Sequence, residues 1–222
     1  IGAEKALWRE ILDTYYEMSL YKDIVEKHGV RNPALLRAIA KFLLANVASQ
    51  FSINAYYKSV KGNMPVGKET VMEYLSYLEE SGMIFLSPIF DYSLMVHQQN
   101  PKRAYCLDNG LRNAVSFMFS ADLGKLAENM AFVELKRRGK ETYYWKGRNE
   151  VDLVVKNRDD GLEAINVTYT DDIKERETKG LLEFKRTFNK TKSLTVITKD
   201  TEKIEDGIKY VPLWKWLLAE GS

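Results

Sequence analysis

Residues 128–170 read ENMAFVELKRRGKETYYWKGRNEVDLVVKNRDDGLEAINVTYT, and the hydrophobic period changes from helix to strand partway along them. Leu126, Met130, Val133 and the stem of Arg137 recur at three- and four-residue steps, which predicts a helix over about 122–138 with Gly139 as its stop. Beyond it, residues 141–146, 150–156 and 162–169 alternate or run apolar. The turn-formers Gly147, Arg148, Asn149 and Asp159, Asp160, Gly161 separate them, so three strands are expected. Asp152 stands inside the middle strand, within Val151-Asp152-Leu153-Val154-Val155, where an acid is costly to bury without a partner. Lys146, Arg148 or Asn166 can supply that partner.

Outward from this stretch, the chain is expected to hold more than one module. At 222 residues and 25.6 kDa, two is the natural number. The formal net charge of +2, from 33 basic and 31 acidic residues, gives no global attraction to nucleic acid or to a membrane surface, so any basic patch must be local. One cysteine, Cys106, and two histidines, His28 and His97, exclude a disulfide framework and a zinc site built on cysteine and imidazole. A reducing, cytoplasmic compartment fits this usage. No apolar run approaches the roughly 18 residues that span a bilayer, so no membrane partner is expected.

Residues 4–28 carry two helical patterns, Leu7, Ile11, Tyr15 and Met18 in the first and Leu20, Ile24 and Val25 in the second, closing at Gly29. They read either as padding for the next module or as the tail of a module that precedes the chain, with a boundary near residue 30. From Asn32, a cap with Pro33 behind it, a helix follows with Leu35, Leu36, Ile39, Phe42, Leu43 and Val47 on its apolar face. A helix opening at Ser52 and another over 68–81 come next. Two strands, 83–90 and 102–107, are joined by a polar loop at Gln98, Gln99 and Asn100. Three helices and a two-stranded wing predict a winged helix-turn-helix over 31–118. Its third helix bears Glu69, Glu73, Glu79 and Glu80 against Lys68, a charge that repels phosphate and favours a protein-facing or structural use. Lys58, Lys61, Lys102 and Arg103 flank it as candidate backbone contacts.

Gly62-Asn63-Met64-Pro65-Val66-Gly67-Lys68 matches the opening of a phosphate-binding loop, but Glu69 follows where Ser or Thr would hold magnesium, and a helix precedes it instead of a strand. The segment reads as a glycine-rich turn. After residue 170 a helix with Leu181, Leu182, Phe184 and Phe188 inward, a strand over 193–198, a short strand over 208–212 and a closing helix over 213–218 complete the second module, 119–222. A mixed sheet flanked by helices is expected there, and an α/β (α+β) fold for the whole.

The helix, the three strands and the placement of Glu128 and Asp152 resemble the PD-(D/E)XK nuclease fold, which implies a restriction-endonuclease-like sheet. In active members an aspartate on the second strand and an acid-x-lysine triplet on the third hold a hard divalent cation and activate water. Asp152 matches the aspartate, while Asn166 stands at the acid and Thr168 at the lysine. Glu163 cannot substitute, because side chains alternate along a strand and it faces away from Asn166. The pocket of Glu128, Asp152, Asn166 and Thr168 therefore reads as vestigial, with no catalytic residue or metal ligand nominated.

NPKRAYCLDNGL at 100–111, ENMAFVELKRRG at 128–139, YYWKGRNEVDLVV at 143–155 and INVTY at 165–169 together resemble the C-terminal half of a group of archaeal and bacterial AAA+ ATPases. There an ATPase module precedes a winged helix and a nuclease-like domain of unassigned function. The resemblance implies that residues 1–30 are the last helices after the ATPase core, and that ATP belongs to that module and not to these residues. Two functions follow as expectations. One is a non-catalytic regulatory or binding region whose candidate partners are the ATPase module of the same polypeptide, DNA and another protein. The other is a weak DNA nuclease using magnesium or manganese through Glu128, Asp152 and the Asn166 oxygen. Tyr143, Tyr144 and Trp145 are expected to divide between core and surface, the other reading being a base-stacking platform. Lys136, Arg137, Arg138 and Lys140 form the densest basic run, expected as a solvated face that complements the helix end, with nucleic-acid contact as the other reading.

Overall fold

The computed structural model describes residues 2–62, 66–115, 123–170 and 172–219. The turn at 63–65 and the positions of Phe117, Asp122 and Asp171 lie outside them. In chain order the elements are α1 (Gly2–Met18), a π-helical continuation (Ser19–Glu26), α2 (Pro33–Ala45), β1 (Ser49–Phe51), α3 (Ile53–Val60), α4 (Lys68–Glu80), β2 (Ile84–Ser87), α5 (Leu94–Gln99), β3 (Lys102–Cys106) and α6 (Asn109–Val115). Then come α7 (Leu123–Arg137), β4 (Glu141–Lys146), β5 (Glu150–Lys156), β6 (Leu162–Val167), α8 (Glu175–Thr187), β7 (Thr191–Thr198), β8 (Lys203–Glu205), β9 (Ile208–Pro212) and α9 (Leu213–Leu218). They form two compact units: 1–86 with 101–119, and 87–100 with 120–222.

The first unit closes on α2. The Asn32 side chain accepts a hydrogen bond from the Leu35 amide at 3.0 Å with Pro33 at the first helical position, and Leu35, Leu36, Ile39 and Leu43 are fully buried. Phe42, expected among them, is 43% exposed. Three strands stand in the order β1-β3-β2. The α1 stripe expected to pack, Leu7, Ile11, Tyr15 and Met18, is exposed, whereas Tyr16, Leu20 and Ile24 are buried. The packed stripe begins one residue later, at Leu12, which lies 3.6 Å from where a Cβ on Gly110 would stand.

The strand expected over 83–90 ends at Ser87, and the loop expected between the two strands holds α5 instead. This segment, 87–100, is part of the second unit. Phe90 donates its amide to the Tyr144 carbonyl, and its ring joins a core of Tyr143, Trp145, Phe184 and Phe188.

In the second unit a mixed sheet runs in the order β4-β5-β6-β7-β9-β8, with β6, β7 and β9 parallel and the remaining neighbours antiparallel. Leu181 and Phe184 of α8, with Phe188 at its C-cap, cover the face carrying Val154, Leu162, Ala164, Leu194, Val196 and Tyr210. The intervening Leu153, Val155, Ile165 and Ile197 are equally buried, because α7 and α9, which touch each other, pack on the sheet as well. Tyr143, Tyr144 and Trp145 are all buried, since both faces of β4 are covered, so no stacking platform exists there. The α7 stripe also differs from expectation. Met130 is 42% exposed, and Ala127, Ala131, Phe132 and Leu135 face the core because the alanines let the helix approach closely. Gly139 ends α7 at a φ of +68°, with the Lys140 amide bonded to the Leu135 carbonyl at 2.9 Å.

Candidate functional site

β5 and β6 pair from Lys156↔Leu162 to Leu153↔Ile165, and one step further Asp152 and Asn166 stand opposite each other. At that point main-chain pairing gives way to side chains. The Asp152 amide donates to Asn166 Oδ1 at 2.9 Å, and the Val167 amide donates to Asp152 Oδ2 at 2.9 Å. Each strand's orphaned N–H thus finds a side-chain oxygen, while β6 continues its ladder with β7 through the Thr168 amide and the Ile197 carbonyl at 2.8 Å. Asn166 Nδ2 donates to the Glu177 carbonyl in the first turn of α8 at 2.8 Å, with a longer approach of 3.5 Å to the Glu150 carbonyl. One partner can only donate and the others can only accept, so the orientation of this amide is determined by the chain itself.

A cleft of about 690 Å³ opens beside this fork, and Glu128, Asp152 and Thr168 line it. Glu128 is 7% exposed rather than lying on the open face of a helix, and Thr168 is 9% exposed. Asn166, at 1%, stands behind the wall. Three charged residues that the sequence reading missed, Lys125, Arg176 and Glu177, also line it, together with Arg148 and Glu150. Burial raises the Glu177 carboxyl above its ordinary pKa. The Arg176 guanidinium, 2.9 Å away at Nε, opposes the rise, and repulsion from Asp152 adds to it. One signal was available: a helix that starts soon after the third strand must place its first turn, Glu175-Arg176-Glu177, beside that strand's end. Gly180 shows how close the approach is, since a Cβ there would lie 2.2 Å from the Glu150 carbonyl oxygen.

Two of the fork's side-chain oxygens are already engaged. The Asn166 oxygen holds an amide, one Asp152 oxygen holds another, and Thr168 offers a hydroxyl where an ammonium would be needed. Among the described residues no three His, Cys, Asp or Glu side chains are arranged to bind a metal. Glu163 bonds to Asn157 Nδ2 at 2.7 Å and lines a different surface pocket, as strand alternation requires. One Asp152 oxygen thus accepts a main-chain amide, and Lys146 pairs with Glu150 at 2.8 Å.

The candidate nucleic-acid contacts divide between the two units. Lys58 and Lys61 are exposed on and just after α3, and Lys102 is half-buried on β3. Arg103, at 4% exposure on β3, is buried rather than open to a phosphate. Lys136 and Arg137 are exposed, but Arg138 is not part of a solvated face. Its Nε lies 2.6 Å from Glu134, its guanidinium donates to the Trp216 carbonyl at 2.9 Å, and it covers the Trp216 ring at 4.6 Å. This run fastens α7 to α9. No helix of the described residues is long and apolar enough to cross a membrane.

Residues 123–216, which carry the fork and the cleft, match a family model described as Domain of unknown function (DUF4143). An uncharacterized protein of Methanocaldococcus jannaschii is 30% identical over 226 residues, covering 95% of this chain and 50% of the relative. An uncharacterized protein of Haemophilus influenzae is 25% identical over 221 residues, covering 98% of this chain and 54% of the relative. The chain thus spans about half the length of the curated relatives it matches. Residues 2–122, more than half of it, match a model described as Domain of unknown function (DUF8612), and the chain belongs to that family.

Proposed function

We propose that this chain is a non-catalytic binding region in which a winged helix and a nuclease-like scaffold together serve an AAA+ ATPase of the same polypeptide. The observation that carries the reading is the commitment of Asn166. With its oxygen on the Asp152 amide and its nitrogen on the Glu177 carbonyl, the residue at the acid position is a strut between β5, β6 and α8. A cleft so built keeps the shape of a phosphodiester-cutting pocket and lacks the means to activate water. The motif resemblance supports the link to an ATPase, and relatives twice this length leave room for one.

Charge favours a protein partner over DNA for the winged-helix part. Glu80 on α4 is paired with Lys27 at 2.7 Å and Glu79 accepts the Leu86 amide at 3.2 Å, so the acids of this helix help hold their own unit together. The segment that would be a free wing has Phe90 in the core of the second unit. The test is incubation with labelled single-stranded, duplex and branched DNA in magnesium or manganese. No cleavage above the buffer control is expected. Metal-dependent cleavage that disappears in Asp152→Ala would overturn the reading in favour of the weak nuclease.

A further inference from the structure

The helix α1 has two apolar faces, and the first unit uses only one. Tyr16, with Leu20 and Ile24 beyond it, is 2% exposed or less, while Leu7, Trp8, Ile11, Tyr15 and Met18 are 57%, 60%, 43%, 67% and 50% exposed. Tyr21, at 54%, extends the second face into the π-helical segment. A helix at the surface of a finished fold needs one apolar stripe, and its other side is ordinarily polar. The exposed residues also have an order. Trp8, Ile11, Tyr15 and Met18 step by three, four and three, the spacing with which one helix lies along another.

Size points the same way. Six large side chains, each about half exposed, present roughly 800 Å², which is one partner's share of a standard interface. The largest apolar patch on an ordinary monomer is about 300–600 Å². Beside the stripe a shallow groove of about 540 Å³, bordered by Met18, Tyr21 and Arg37, can take a side chain from whatever lies on it.

We propose that this face is the seat of an amphipathic helix from the same polypeptide, in the half that the relatives carry beyond the region they share with this chain. Both relatives align over at least 95% of this chain and still have about as much sequence again. A helix tethered in that half meets α1 at an effective concentration in the millimolar range, far above that of a second molecule, so it outcompetes self-association. The inference goes beyond the reading of the cleft and does not depend on it.

The experiment is carbene footprinting of the protein as its cell makes it, read at Trp8, Tyr15 and Tyr21, with buried Tyr16 and exposed Trp214 as internal references. The expected result is labelling of the α1 face several-fold below that of Trp214 and unchanged on dilution. The protection should be lost in Ile11→Asp and in Tyr15→Lys, while Tyr16 stays protected and so reports an intact fold. Labelling of Trp8 and Tyr15 equal to that of Trp214 would overturn the proposal. So would protection that fades on dilution together with a dimeric mass, which would assign the face to a second copy.

Discussion

Two polar clusters in the second unit are satisfied differently. At the fork of β5 and β6, Asp152 and Asn166 bond to main-chain amides and carbonyls, with the charges of Arg176 and Glu177 felt at Asp152. At the far end of α7, Glu134 receives the Nε and terminal nitrogen of Arg137 at 2.7 Å each and the Nε of Arg138 at 2.6 Å. The first arrangement replaces strand pairing where the strands part and leaves a cleft beside it. The second clamps one helix to another through Arg138. A carboxylate bonded to backbone N–H groups depends on the course of the chain, whereas one bonded to guanidinium depends on charge.

The comparison can be broken most severely at the fork. Asn166→Asp sets a carboxylate oxygen against the Glu177 carbonyl and adds a charge beside Asp152, so a loss of about 3 kcal/mol is expected near neutral pH, measured by urea unfolding. The loss should shrink as pH falls, because a protonated carboxyl can again donate to that carbonyl. A neutral effect would mean that Asn166 is not a strut. Gly180→Ala acts one layer out. Its Cβ meets the Glu150 carbonyl, so α8 must shift, and a cost of about 2 kcal/mol is expected in the same measurement.

At the other end the effect is smaller, and it too fades as pH falls, for a different reason. The hydrogen bond from Arg137, helped by Arg138 against the cost of burial, pulls the Glu134 carboxyl down to about 2. A depressed carboxyl contributes stability that is full above its unfolded value and is lost as pH falls towards its folded one. Glu134→Gln should therefore cost about 1–2 kcal/mol at pH 7 and approach no cost as pH falls to about 2, where the wild-type group becomes protonated, checked by melting across pH. The guanidinium of Arg138 keeps its bond to the Trp216 carbonyl in that variant, which is why the loss stays modest.

Local signals made much of the second unit legible. The alternation at 141–146 and 150–156 returns as β4 and β5 with the same bounds, and Gly139 stops α7 as its position after a basic last turn implies. What failed was the direction of helical faces. On α7 the bulky Met130 looked inward and is not, while two acids, Glu128 and Glu134, are buried because each has partners that periodicity does not reveal. On α1 the more conspicuous stripe points outward, since a helix with two apolar faces does not say which one its own unit will take.

The sequence alone located most strands and helices of the second unit and put Asn166 and Thr168 at the end of its third strand, because these follow from period, turn chemistry and residue identity. Tertiary structure decided what those residues do. Asp152 and Asn166 became a mutual splice of two parting strands, and Arg176 and Glu177 came to the cleft, because the first turn of α8 is brought against the end of β6 by packing at Gly180. Hydrogen-bond partners far apart along the chain are set by that packing, and no local pattern encodes them.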